Sequence, residues 1–129
     1  MKDMLDTIYG AMMGNEVIIG NCADRIKYYL YPETGDTGLP FITIRPMQPP
    51  QDAVYGSDKA LACEFLYQID VQSQDRKKCK EIQQAVKSVM QDLGFSQQPG
   101  GLDEYFEETK RYVDARRYLT ATKPYDTDY

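Results

Sequence analysis

The residues best suited to chemistry lie toward the C-terminal end: Asp103, followed by Glu108-Thr109-Lys110. An acid, one spacer and a lysine, with a second carboxylate upstream, is the core of metal-dependent nucleases in which carboxylates hold Mg²⁺ and the lysine orients the attacking water. A tripeptide of this kind arises often by chance. The run Asp103-Glu104-Tyr105-Phe106-Glu107-Glu108 is also acidic enough to repel a phosphate backbone, so solvated charges at a turn are the simpler reading. Histidine is absent, which removes Ser-His-Asp and Cys-His catalysis and most zinc sites. Gly94 and Gly100-Gly101 lack the following Lys-Ser/Thr and the strand-to-helix setting of a phosphate-binding loop. Cys22, Cys63 and Cys79 are odd in number and lack C-x-x-C spacing, which predicts reduced core residues and no disulfide framework or thiolate metal site. No catalytic residue, metal ligand or cofactor is expected.

Binding surfaces are better represented. Lys110-Arg111 and Arg116-Arg117 form the one basic cluster; on a strand, Arg111 and Arg117 share a face and Arg116 points away, as ordinary surface charge or as a charged subunit contact. Eleven tyrosines without a tryptophan favour half-buried surfaces, because the ring is apolar and its tip polar. Tyr28, Tyr29 and Tyr31 fit an exposed aromatic patch or the half-buried side of a sheet equally well. Twenty acids against fifteen bases give a net charge of −5, which disfavours a dedicated nucleic-acid role. The longest apolar runs, such as Val17-Ile18-Ile19, are far below the roughly 18 residues of a membrane helix, so no membrane association is expected. The acids in Met1-Lys2-Asp3-Met4-Leu5-Asp6 argue against a secretion signal.

The elements that must position these residues read as follows. Lys2 to Met13 has apolar residues at helical spacing, with Gly14-Asn15 as a stop. Its methionines fit core filling better than an adaptable docking face. Ile26 to Tyr31 alternates as a strand and runs into the turn-rich stretch from Pro32 to Gly38. Phe41 to Arg45, framed by Pro40 and Pro46, is a second strand expected to pair antiparallel with the first. Met47 to Lys59 contains Pro49-Pro50 and Gly56-Ser57 and reads as a long functional loop. Leu61 to Gln72 is the clearest strand, with Cys63, Phe65, Tyr67, Ile69 and Val71 facing a core and the other side mostly wet. A helix follows, capped by Ser73 or Asp75, with Cys79, Ile82, Val86, Val89, Met90 and Leu93 as its apolar stripe, lysines and glutamines opposite, and a Schellman ending at Gly94-Phe95. Gln97 to Gly101 breaks the chain, and Tyr105 to Ala121 holds one or two strands. The fold class is therefore α+β: a mostly antiparallel sheet of about four to five strands with two helices packed on one face. Residues 1–121 are expected to form one domain and 122–129 a flexible tail.

The order helix, strand, strand, long loop, strand, helix, closing strands is similar to that of the tail terminator, or tail completion, proteins of long-tailed bacteriophages, which include the small tail-to-head joining proteins. Phe65-Leu66-Tyr67-Gln68-Ile69-Asp70-Val71-Gln72-Ser73, followed by a helix ending Val89-Met90-Gln91-Asp92-Leu93-Gly94-Phe95, resembles that family's central strand-helix unit, and Arg111-Tyr112 and Arg117-Tyr118 resemble its closing strands. The likeness covers residues 1 to about 120. It implies a structural virion protein of the tail or neck, assembled in the host cytoplasm: a homo-oligomer, six-fold as a ring on the particle; a monomer in solution is compatible with this, because assembly can wait for the tube end as a template. Such a ring caps the tail tube, contacts the tail tube protein and the head-tail connector protein, and meets DNA only as it passes through the channel. Under this reading Met47, Gln51, Val54, Tyr55, Asp58 and Lys59 of the long loop touch the tube, and Arg111, Arg116 and Arg117 touch neighbouring subunits. The alternatives are a small metal-dependent nuclease and a different head-tail neck protein.

Overall fold

In the computed structural model the alternation centred on residues 61–72 becomes the spine of the molecule, β4 (Lys59–Ser73). The model describes residues 2–32, 38–56 and 59–121, and between 53 and 61 the course of the backbone. Before the spine come α1 (Met4–Met13), α2 (Glu16–Cys22), β1 (Ile26–Tyr28), β2 (Phe41–Pro46) and β3 (Gln51–Gly56); after it come α3 (Arg76–Asp92), β5 (Ser96–Phe106) and β6 (Arg111–Ala121). The strands form one sheet in the order β1-β2-β4-β6-β5, with β3 also paired to β4. All pairings are antiparallel except β1–β2. The α+β class is as expected from the sequence, with a third helix and a sixth strand added.

Local chemistry explains the helix ends. Asp3 accepts a hydrogen bond from Leu5 N, Asn15 from Val17 N and Ile18 N, and Asp75 from Lys77 N and Lys78 N, so each helix has an N-cap. Asp75 is the cap of α3, while the Ser73 hydroxyl accepts from Asp75 N at 3.0 Å. At the other end Phe95 N donates to Met90 O and Gly94 N to Gln91 O, with Gly94 at φ +93°, a complete Schellman motif. The helices pack on one side of the sheet. Met4, Ile8 and Met12 of α1, Ile18 and Cys22 of α2, and Ile82, Val86 and Met90 of α3 are buried against Ile42, Ile44, Phe65, Tyr67, Ile69 and Val71. The α1 methionines Met4 and Met12 thus fill core, and the three cysteines are buried and outside any disulfide.

Five expectations need correction. First, β1 pairs with β2 in parallel, through Ile26↔Ile42 and Tyr28↔Ile44. Tyr29, at φ 67°, ends the strand after Tyr28, and the long connection to Phe41 gives the chain room to run back beside β2 in the same direction. Second, Asn15 starts a new helix, α2, and does not simply end the first one. Third, the segment from Met47 to Lys59 is a loop only up to Pro50. The pairing of Pro46↔Tyr67 resumes as Gln51↔Glu64, so four residues bulge opposite two; Pro49 and Pro50 have no N–H to give a ladder. Fourth, β5 passes straight through Gln97 to Gly101, taking up Pro99 and two positive-φ glycines as a bulge between Gln98 and Gly101. Fifth, Gln83 is not on the wet side of α3: it is fully buried and donates from Nε2 to Ile69 O and Asp114 O. The tail 122–129 and most of the turn after Pro32 lie outside the described residues.

Candidate functional site

With the helices on one side, the opposite side of the sheet is formed by Phe41, Thr43 and Arg45 of β2, Gln68, Asp70 and Gln72 of β4, Arg111, Val113, Ala115 and Arg117 of β6, and Leu102, Glu104 and Phe106 of β5. Arg45 and Arg117 are the two strand partners of Gln68, so the three side chains form one row across β2, β4 and β6. In the next row Thr43, Asp70 and Ala115 are small or short and nearly inaccessible, which makes a floor lower than its surroundings. Asp70 and Ala115 of this floor line a cavity of about 300 Å³ walled by Arg45, Gln72, Leu102, Phe106 and Glu108. A neighbouring hollow of about 360 Å³ lies over Phe41 and Thr43, between Arg45 and Arg111.

The three arginines are each anchored through Nε. Arg45 Nε lies 2.9 Å from Asp70 Oδ2, a close ion pair without an aligned hydrogen bond. Arg117 Nε donates to Gln68 Oε1 at 3.0 Å and Arg111 Nε to Gln72 Oε1 at 3.2 Å, with the Arg111 guanidinium 5.3 Å from the centre of the Phe41 ring. Tyr31 stacks on the other contact surface of this corner, its ring 3.9 Å from that of Phe41. Gly100 matters here: a Cβ would come within 3.0 Å of Arg117 Nη1, so the glycine lets the arginine lie across the β5 bulge. Anchoring each guanidinium at Nε restrains its plane, and the Nη atoms have no hydrogen-bond partner among the described residues; paired Nη donors of this kind can grip a carboxylate in two-point fashion.

The sequence correctly places Arg111 and Arg117 on one face with Arg116 on the other. Arg116 turns toward α3, where it bonds both oxygens of the buried Asp114 at 3.0 and 3.2 Å. It is thus built into the fold's own charge cluster. Arg45, Gln68, Asp70 and Gln72 were missed as site residues, although the strict alternation of β4 already puts the last three on one side. The remaining candidates are spread over the β3–β4 hairpin. Before Glu64, β4 pairs only with β3 among the described residues, closing through Gly56↔Lys59; the hairpin is therefore an arm extending past the ends of β2 and β6. Met47 and Gln51 are exposed at its base, the backbone places Val54, Tyr55 and Lys59 in its outer part, and Asp58 lies outside the described residues. Met47 also lines a cleft of about 570 Å³ with Lys2, Leu5, Tyr29, Pro49, Phe65 and Tyr67.

The carboxylates and lysine that resemble a nuclease core are dispersed. Asp103 is on the helix side, bonded to Lys80 Nζ at 2.6 Å, whereas Glu108 walls the cavity on the other side. Lys110 sits in the β5–β6 turn at φ 56°, its N–H donating to Phe106 O. Among the described residues no three His, Cys, Asp or Glu side chains are grouped as a metal site, and no helix is long and apolar enough to cross a membrane. No family model matches the chain, and no curated protein is detectably similar to it in sequence.

Proposed function

We propose that this chain is a structural assembly subunit that closes as a ring on the end of a phage tail tube, stops its growth and joins it to the head. The reading rests on the resemblance of the element order and the strand-helix unit, and one structural observation supports it best. Among the described residues, the segment from Gln51 to Gly56 is a hairpin arm paired with the first part of the spine beyond the described ends of β2 and β6, so it is a paired projection and not a slack loop. A rigid projection loses less conformational entropy on docking than a loop of the same length. A ring contact also needs two different surfaces per subunit, and the sheet supplies a long edge in β5 on one side and the short β1 on the other. The net negative charge suits a channel through which DNA slides without adhering.

The test is to shorten the arm without touching the strand pair Ala53↔Ala62 at its root, by replacing residues 54–61 with an Asn-Gly turn, which closes a two-residue hairpin. The shortened protein is expected to melt like the parent, while tails assembled with it show overlong tubes or fail to join heads in negative-stain electron microscopy. Normal tube length and normal head attachment in tails lacking the protein altogether would overturn the proposal.

A further inference from the structure

The hollow of about 360 Å³ over Phe41 and Thr43 is lined by hydrogen-bond donors that the fold leaves unused. Arg45 and Arg111 both line it, each held only at Nε, and among the described residues nothing engages their Nη atoms. Gln72 accepts from Arg111 Nε through Oε1, so its amide nitrogen remains a donor. Thr43 is only 1% exposed, yet it lines the hollow, and its hydroxyl makes no hydrogen bond among the described residues. No carboxylate lines the hollow. The acids on this side of the sheet are placed elsewhere: Asp70 is taken up by Arg45 and Gln68, Glu104 stands on β5 opposite Val113, and Glu108 walls the adjoining cavity. The rest of the lining is apolar, with Tyr31 stacked on Phe41 and Leu30 at the rim, 72% exposed.

We infer that this hollow is a binding site for a small organic acid, its carboxylate meeting the Nη donors of Arg45 and Arg111 and the Thr43 hydroxyl, and its aromatic or aliphatic body lying along Tyr31 and Leu30. Donors gathered without an opposing acceptor select an oxyanion, because a neutral or cationic guest would leave them unpaired. The charge of Arg111 has no ion pair among the described residues, since its Nε is held by a neutral amide, so an arriving carboxylate finds a cation not yet matched. The anchors at Nε restrain both guanidinium planes before binding, and little side-chain freedom is lost when they are engaged. The volume lies at the small end of ligand cavities, which run from roughly 300 to 1,000 Å³, and it limits the guest to a small molecule. Inorganic phosphate would satisfy the donors but leave the apolar wall uncovered. The inference goes beyond the assembly reading and does not depend on it.

The experiment is a nuclear magnetic resonance titration of the isotope-labelled full chain with benzoate, following backbone amides and arginine Nε–H groups. Saturable binding with a Kd of about 1 mM or tighter is expected, with shifts centred on Thr43, Arg45, Gln72 and Arg111. Benzyl alcohol, which keeps the ring without the charge, and inorganic phosphate, which keeps the charge without the ring, are each expected to bind roughly 10-fold more weakly. Arg111→Met is expected to weaken benzoate binding roughly 10-fold, and Thr43→Val a few-fold. Arg117→Met removes an arginine of the same side that does not line the hollow, and is expected to leave binding unchanged. Thr43→Val keeps the branched shape of its strand position, so a folding defect in the Arg111 variant would leave it as the deciding arm. Benzoate that fails to saturate by about 20 mM, phosphate that binds as tightly as benzoate, or equal losses in the Arg111 and Arg117 variants would each overturn the inference. Glu33 and Asp36 follow Pro32 in the turn outside the described residues. Benzoate binding that appears only in Glu33→Gln with Asp36→Asn would make the chain's own acids the occupants and would also overturn it.

Discussion

Lys80 shows how single residues set the behaviour of this fold. Its ammonium bridges Asp103 Oδ2 at 2.6 Å and Asp114 Oδ2 at 2.8 Å, tying α3 to β5 and β6. The hydrogen bond from Lys80 holds the Asp103 carboxyl below the usual carboxylate range. Burial pulls Lys80 itself down, but hydrogen bonds to the two aspartates outweigh it and leave the ammonium above its ordinary value. The signs follow by linkage. The depressed Asp103 adds stability that is present above the unfolded carboxylate range and lost as pH falls through its folded value. The raised Lys80 adds stability that is present below the unfolded lysine range and lost as pH rises through its folded value. Asp103→Asn is therefore expected to lower stability by roughly 0.5 kcal/mol at neutral pH, the scale of an exposed pair. The gap to the parent should close as the pH falls below the usual carboxylate range and through the lowered folded value, where the wild-type carboxyl becomes neutral; urea titrations at neutral and at acid pH measure it.

At the scale of elements, two positive-φ glycines are predicted to behave differently. A Cβ at Gly94 meets only Thr120 Oγ1 at 3.6 Å, so Gly94→Ala is charged with backbone strain alone, about 1 kcal/mol. A Cβ at Gly101 would sit 2.1 Å from Ala115 O, inside the β5–β6 ladder, and nothing flexible can move away. Gly101→Ala should cost ~3 kcal/mol or more and detach the outer half of β5, visible as lost amide protection there while α3 stays protected. This contrast also marks what was legible in the sequence. The Schellman end of α3 is local chemistry, so Gly94-Phe95 announces it. The same residue types at Gln97 to Gly101 suggest a break, yet β6 supplies enough pairing on both sides to carry the strand through. The arm from Gln51 onward was hidden for the same reason: Pro49-Pro50 is a true interruption, but the ladder resumes where Glu64 and Cys63 offer partners. Parallel β1–β2 pairing depends on Tyr29 adopting a left-handed conformation, which tyrosine itself does not signal. At the open face, alternation in β4 and β6 was enough to align Arg111 with Arg117, whereas Arg45 joined them only through the β2–β4 register, a long-range fact.

Across the whole molecule, the described helices pack on one side of the sheet and bury the core between them, and no described helix covers the other side. The three thiols report on that interior. Burial pushes Cys22 up to about 12 and Cys79 up to about 11, so the native thiols are both shielded and protonated. Cys63 is buried at the root of the arm, where β4 has β3 as a neighbour but has only just met β6. Labelling with an aromatic disulfide at neutral pH should therefore modify Cys63 first, at the rate of local opening of the arm, and Cys22 and Cys79 only at the rate of global unfolding. Equal rates for all three would mean that the arm and the body open as one unit.

The continuity of β4 has a mechanical side. Fifteen residues of one strand span roughly 50 Å. The strand begins at the tip of the arm and ends at Ser73, whose hydroxyl holds the amide of the residue that caps α3. A load applied at the tip is therefore borne along a single covalent rod clamped by β2 and β6, and its far end bears on the first turn of the longest helix. One unbroken strand thus joins the tip of the arm, the middle of the sheet and the cap of the longest helix.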